Sequence, residues 1–225
     1  MAERQTDLRW PVPPELDEPA PPNERRAWGK LPHDERYRRQ RRDLIRAAAR
    51  LATRDGYSGS RVADIVAEAG LSKSTFYEHF TSKDDCFIEL HRRTSSAMLR
   101  AGIAAAERAV DRGPFEAIVE VIRALLGYVD RDPRLAAVLR TELGGSQPAV
   151  QRQRQRNQEY IVELFATLAR RLGSSLDDSE IELTSRVLVA GVTSVLGQLG
   201  RARDVDVAIA AVARIGCRAW GFDHP

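Results

Sequence analysis

Cysteine, lysine and aromatic residues are all scarce in this chain of 225 residues, and the scarcity excludes several kinds of protein. Its two cysteines, Cys86 and Cys217, stand far apart. The four histidines, His33, His79, His91 and His224, are scattered, so neither a disulfide framework nor a zinc-ligand spacing can be built from them. A phosphate-cradling glycine loop is missing, as is a nucleophilic serine motif, and no catalytic centre or cofactor is expected. No apolar run reaches the roughly 20 residues that a bilayer-spanning helix needs. The first thirty residues lack the apolar stretch and small-residue cleavage site of a secretory signal, so a reducing cytoplasm with both thiols buried is the expected setting. Lysine occurs only as Lys30, Lys73 and Lys83 among 35 basic residues, an arginine bias expected of a GC-rich bacterial genome.

Charge is unevenly placed. The net +3 conceals a value of −4 over residues 1–24, +7 over residues 25–83 and zero over the remainder. Residues 1–33 carry seven of the eleven prolines, in runs such as PVPP and PAPP that no ordinary helix can cross, and read as a flexible arm. Arg25, Arg26, Lys30, Arg36, Arg38, Arg39, Arg41 and Arg42 then form a basic stretch leading into the first helix. Such a concentration is the footprint of a polyanionic partner. The stretch, with Arg38 and Arg41, either follows a DNA backbone or adjacent minor groove, or is a solvated run of charge.

Two short helices joined at a glycine come next. Val62, Ile65, Val66 and Ala69 make one apolar helical face, for which Ser60 is an expected N-cap. Gly70 suits a turn that needs positive φ, and Leu71 can wedge between the helices. Ser72 is expected to cap a second helix whose Phe76 and Phe80, four apart, point inward. Lys73, Ser74 and Tyr77 lie on its other side, with Thr75 and His79 flanking, and offer charge, hydroxyls and an imidazole to phosphates and base edges. Upstream, Leu44, Ile45, Ala48, Ala49, Leu51 and Ala52 predict an amphipathic helix ending near Gly56, so three helices can enclose one small core. Thr81 and Ser82 are candidate caps for a fourth helix, with Lys83 left free on the DNA side. Together this outlines a helix-turn-helix.

The run RDLIRAAARLATRDGYSGSRVADIVAEAGLSKSTFYEHFTSKDDCF resembles the DNA-binding domain of the tetracycline-repressor (TetR) family of bacterial regulators. The likeness is detailed over residues 38–90; beyond them it is only one of length and helical pattern. Ser74 stands where many members carry glycine, and Glu78 makes the second helix less basic. The resemblance implies an all-α protein: an N-terminal three-helix helix-turn-helix domain followed by a C-terminal helical domain for ligand binding and dimerisation. It implies a homodimer on a palindromic double-stranded DNA operator, released by a small-molecule effector, in the cytoplasm and associated with the nucleoid. Lys73, Thr75, Tyr77 and Lys83 are the DNA contacts it favours, with Ser60 near the phosphates. A DNA-binding structural protein without an effector is the alternative reading.

The expected organisation is an arm over 1–33, the helix-turn-helix over 34–83 and the helical effector and dimer domain over 84–225. Within the last, helical periodicity predicts segments to about Asp111, then Phe115 to Asp130, Pro133 to Leu143, Gln147 to Leu172, Asp177 to Gly200 and Asp204 to Trp220. The final two carry a stripe of Leu183, Val187, Leu188, Gly191, Val195 and Leu199, then Val205, Ala208, Ile209, Val212 and Ile215. Small residues beside it permit close approach of a second subunit. An apolar or amphipathic ligand would meet Phe115, Ile118, Ile122, Tyr128, Tyr160 and Phe165, with Glu142 as a polar group, although the same spacing serves ordinary core.

Overall fold

The computed structural model describes residues 32–130, 148–196 and 202–222, and among these every regular element is helical. They divide into two compact units. One comprises residues 32–96 together with 129–130 and 148–155, and the other comprises 97–128, 156–196 and 202–222. The arm over 1–33 and the segment expected over Pro133 to Leu143 lie outside the described residues, apart from Pro32 and His33. No described helix is long and apolar enough to cross a membrane.

In the first unit, α1 (His33–Arg54) buries Leu44, Ile45, Ala47, Ala48, Leu51 and Ala52 along one stripe. Asp34 and Glu35 in its first turn complement the positive helix end. Its last turn closes on the Asp55 amide, which donates to Leu51 O, and Gly56 then turns the chain at φ +69°. A single-turn helix, α2 (Gly56–Gly59), intervenes before α3 (Val62–Ala69) and α4 (Lys73–His79). From α5 (Lys83–Ala109), Cys86, Phe87 and Leu90 complete the same core, where Phe87 meets Tyr57 edge-on at 5.0 Å. The core of the helix-turn-helix therefore extends past residue 83.

Gly70 has φ +66°, and the Leu71 amide donates to Val66 O while the Gly70 amide donates to Ala67 O. These two bonds satisfy carbonyls that the end of α3 leaves open, in a geometry that a side chain at Gly70 would strain. Ser72 Oγ accepts from the Thr75 amide at 3.0 Å and starts α4 as expected. Ser82 Oγ accepts from the Asp85 amide and caps α5 as expected, whereas Thr81 does not cap: its amide and hydroxyl both donate to the Asp85 carboxylate. Ser60 does not cap α3. Its backbone ends α2 and its Oγ donates to Gly56 O at 2.7 Å, while Arg61 occupies the cap position and its amide donates to Asp64 Oδ2.

The second unit contains the part of α5 after Ser96, α6 (Pro114–Asp130) as far as Tyr128, much of α7 (Pro148–Arg171), α8 (Asp178–Leu196) and α9 (Ala202–Ala219). A 3-10 turn, Val110–Arg112, joins α5 to α6. Helix α8 opens on a reciprocal box: Asp177 Oδ1 accepts from the Glu180 amide, and Glu180 Oε2 from the Asp177 amide. Ile118, Val121, Ile122, Leu164, Phe165, Leu168, Ile209 and Trp220 fill the core. Trp220 is fully buried, its ring 6.2 Å from that of Phe165, and its carbonyl accepts from Ser174 Oγ. Helices pack closely at Gly216, where an added Cβ would lie 3.2 Å from Leu188 Cδ2 and 3.3 Å from Ile118 Cδ1.

Candidate nucleic-acid interface

Helix α4 has seven residues, too few to persist alone, and is held by its buried face. Phe76 is fully buried and Phe80 nearly so, their ring centroids 5.6 Å apart. The opposite side of the helix is therefore presented to solvent. Lys73 and Ser74 are exposed there, and Tyr77, 59% exposed, stands edge-on to Phe76 at 5.4 Å. Thr75 is half-buried at the helix start, where its hydroxyl lies 2.9 Å from Ser72 Oγ. Arg61, exposed at the start of α3, adds a cation that the sequence pattern had not singled out.

Other expected contacts have their polar groups engaged within the domain. Ser60 is 2% exposed. The Lys83 ammonium, expected to be free, donates to Tyr57 O and Ser60 O at 3.0 Å each and lies 3.9 Å above the Tyr57 ring. His79 is buried against α1, with Nε2 3.3 Å from Gln40 Oε1 and the Tyr37 ring 4.1 Å from its own. Burial and then the charge of Arg41 hold its pKa below the ordinary value. Arg41 Nη1 donates to His79 O at 2.7 Å. Arg38 is exposed on the first turns of α1. What hid the roles of Ser60 and Lys83 from sequence reasoning was α2, a single turn with glycine at both ends and no periodicity to reveal it.

Two side-chain braces hold this frame. Arg50 Nε pairs with Glu68 Oε1 and its Nη2 donates to Glu68 O at 3.2 Å, fastening the end of α3 to α1. Tyr57 Oη donates to Asp84 Oδ1, and burial followed by that carboxylate raises the phenol pKa. An exposed helix face carrying one ammonium and several hydroxyls, mounted on a braced three-helix frame, can form phosphate and base-edge hydrogen bonds in a major groove. No group of acids, histidines and cysteines suited to a metal occurs among the described residues.

The residues expected around a ligand belong to the second unit or lie outside description. Ile118, Ile122 and Phe165 are buried in its core, and Phe115 and Tyr160 are half-buried against it. Tyr128 lies on α6, its side chain outside the described residues, as is the whole of Glu142. A surface groove of about 200 Å³ is lined by Phe115 and Val119 together with Arg112, Glu116, Arg123 and Asp206. Of the expected ligand set it includes Phe115 alone.

Residues 44–90, from the first core leucine of α1 to the last core leucine that α5 lends it, match the model of bacterial regulatory proteins of the tetR family. The chain is 34% identical over 116 residues to the HTH-type transcriptional repressor DhaR of Mycobacterium sp. (strain GP1), a match covering 46% of this chain and 57% of that protein, so it spans little more than half of that repressor. It is 24% identical over 171 residues to the HTH-type transcriptional repressor AcnR of Corynebacterium diphtheriae, covering 74% of this chain and 84% of that one. The crystal structure of the transcriptional regulator FadR from Bacillus subtilis, in complex with stearoyl-CoA, has the same fold at a TM-score of 0.57 and 19% identity, covering 81% of this chain and 99% of that one. These relatives are transcriptional regulators. Residues 44–90 thus carry the DNA-binding domain of the tetR family of bacterial regulatory proteins.

Proposed function

We propose that this chain represses transcription by binding a palindromic operator as a homodimer, and that a small apolar or amphipathic ligand releases it. The observation that carries the reading is the solvent face of α4, where Lys73, Ser74 and Tyr77 stand opposite the buried Phe76 and Phe80. Lys73 is assigned to a phosphate, and Ser74, Thr75 and Tyr77 to phosphates or base edges, with Arg61 and Arg38 supporting the backbone contact. Two such faces related by a two-fold axis read two half-sites.

Dimerisation is supported by apolar side chains that their own unit leaves uncovered. Leu183 and Val187 on α8, and Val207 and Ile215 on α9, are 63–69% exposed, and Ala190 and Gly191 beside them are exposed as well. Of the expected stripe, Leu188, Ile209 and Val212 turn inward to the core, so the free face is narrower than the periodicity implied. Exposed apolar side chains of this kind on two helices suit a self-complementary contact with a second copy. The ligand class is supported by FadR, solved with stearoyl-CoA, and by Phe115 and Val119 in the surface groove of the second unit.

The test is binding of the purified chain to fragments of its source genome, with bound DNA sequenced and affinity followed against salt. Recovery of a palindrome with steep salt dependence is the expected result. Salt-sensitive binding without sequence preference would return the chain to the alternative of a structural DNA-binding protein.

A further inference from the structure

The carboxyl end of α4 points toward α1, and its open carbonyls are met there by side chains. A helix leaves its last four carbonyls without internal partners, and a cation beside them also complements the helix dipole. In α4, Glu78 O accepts from Tyr37 Oη at 3.4 Å and His79 O accepts from Arg41 Nη1 at 2.7 Å. The Arg41 guanidinium also lies 4.4 Å over the centroid of Phe80, the buried ring that ends α4. Its Nη2 faces Glu89 Oε1 of α5 at 3.7 Å. One planar side chain thus touches α4 and α5 from α1. Only a fork of fixed geometry can serve a carbonyl, a ring and a carboxylate together.

Glu89 is itself anchored. Its side chain is 9% exposed and accepts from Arg92 at 2.8 and 2.9 Å and from Arg93 at 2.7 Å. Arg41 approaches a carboxylate that is already fixed to its own helix. The Arg41 guanidinium therefore adds a polar link between this turn of α5 and the end of α4 to the apolar core that Phe80 and Phe87 share.

We infer that Arg41 is a positioning residue, the joint that sets the carboxyl end of the DNA-facing helix α4 and ties it to α5 through Glu89, and not a ligand of DNA phosphate. Its effect on DNA rests on the function proposed above, while its effect on α4 does not. Displacing Glu89 then disturbs DNA reading from a residue that is buried and bonded to its own helix.

The experiment pairs hydrogen exchange of the α4 backbone with DNA binding, in the full chain carrying Arg41→Met, Arg41→Lys or Glu89→Gln. The probes are a duplex selected on the wild-type chain and a random-sequence duplex of equal length. In Arg41→Met, the amides from Tyr77 to Phe80 should exchange about tenfold faster, while those of α6 to α9 stay unchanged. Arg41→Lys should give a smaller increase, because it keeps the charge and loses the fork. Glu89→Gln should loosen the same amides when made alone and add little to Arg41→Met. Affinity for the selected duplex should fall about tenfold with an unchanged salt slope, and affinity for the random duplex should hold.

Unchanged exchange in Arg41→Lys and Arg41→Met overturns the joint. So does a salt slope lowered by about one with α4 exchange intact, which would make Arg41 a phosphate ligand. If Arg41→Met does not fold, Arg41→Lys decides. If the wild-type chain selects no duplex while the variants still loosen α4, the joint stands and the DNA-binding reading fails.

Discussion

The ammonium of Lys83 lies 3.9 Å above the ring of Tyr57 and also donates to that residue's carbonyl oxygen at 3.0 Å. A second bond reaches Ser60 O, so one lysine at the start of α5 closes the open carbonyl end of α2. Two hydrogen bonds from a cation and a ring contact, all part-buried, make Lys83 a support of the fold. Lys83→Met should therefore destabilise the chain by about 2 kcal/mol, measured by urea unfolding. Stability equal to the wild type would show these contacts to be dispensable.

Glu89 gives the first unit an acid sensitivity. Burial alone would raise its carboxyl, but hydrogen bonds and charge from Arg92 and Arg93 outweigh that and hold its pKa at about 2. A group whose folded pKa lies below its unfolded value contributes stability that is fully present above the unfolded value, near 4.5, and is lost as pH falls toward 2. On the order of 2–3 kcal/mol should disappear across that window. Glu89→Gln should flatten this part of the stability profile, read by denaturant unfolding at stepped pH, and an unaltered profile would remove Glu89 as its source.

The free apolar face of α8 and α9 makes a quaternary prediction. Val187, 66% exposed, contributes little to its own unit. Val187→Glu should leave the melting of the isolated subunit nearly unchanged and yield a monomer by light scattering at micromolar concentration, because a charge would be buried without a partner in a self-complementary contact. A dimer that survives both Val187→Glu and Leu183→Glu would place the interface elsewhere.

Gly102 marks a close approach of helices within the second unit. A Cβ there would fall 2.8 Å from Leu125 Cδ2 and 2.9 Å from Leu164 Cδ2, on side chains that the core holds almost wholly buried. Alanine favours a helix by about 1 kcal/mol over glycine, and overpacking costs about 1–3 kcal/mol. Gly102→Ala should thus destabilise by about 1 kcal/mol in thermal or urea unfolding. A gain in stability would show that Leu125 and Leu164 can move aside.

The two thiols should resist modification. Cys86 and Cys217 are buried, and burial pushes the Cys86 pKa up to about 12 and raises that of Cys217. Neither should react with a thiol reagent at about pH 8 except at the rate of unfolding, followed by mass spectrometry. Rapid labelling of either in the native chain would contradict its burial.

Much of the first unit was legible because local rules and the tertiary fold agree there. Phe76 and Phe80 recur at one helical turn, Gly70 supplies the positive φ that ends α3, and Ser72 and Ser82 cap the helices that follow. The misplacements of Ser60 and Lys83 share one cause. Both answer to α2, whose four residues give no period to read and whose carbonyls recruit a lysine from more than twenty residues away. His79 and Arg41 were obscured differently, since their partners, Gln40 and Glu89, come from helices that a sequence does not bring together. In the second unit, periodicity located α6 to α9, but it could not assign an apolar stripe to one subunit or two: Leu188 turns inward while Val187 beside it remains exposed.

The central claim is that the solvent face of α4 reads DNA, and substitution of that face alone tests it most directly. In Lys73→Ala/Tyr77→Ala, two exposed side chains are removed while Phe76 and Phe80 stay buried, and only the edge contact of Tyr77 with Phe76 is lost, so the melting temperature should stay within about 4 °C of the wild type. Affinity for the duplex selected on the wild-type chain should fall at least tenfold, with the salt slope lowered by about one for the lost lysine. Undiminished affinity for that duplex in a folded double variant would contradict the account.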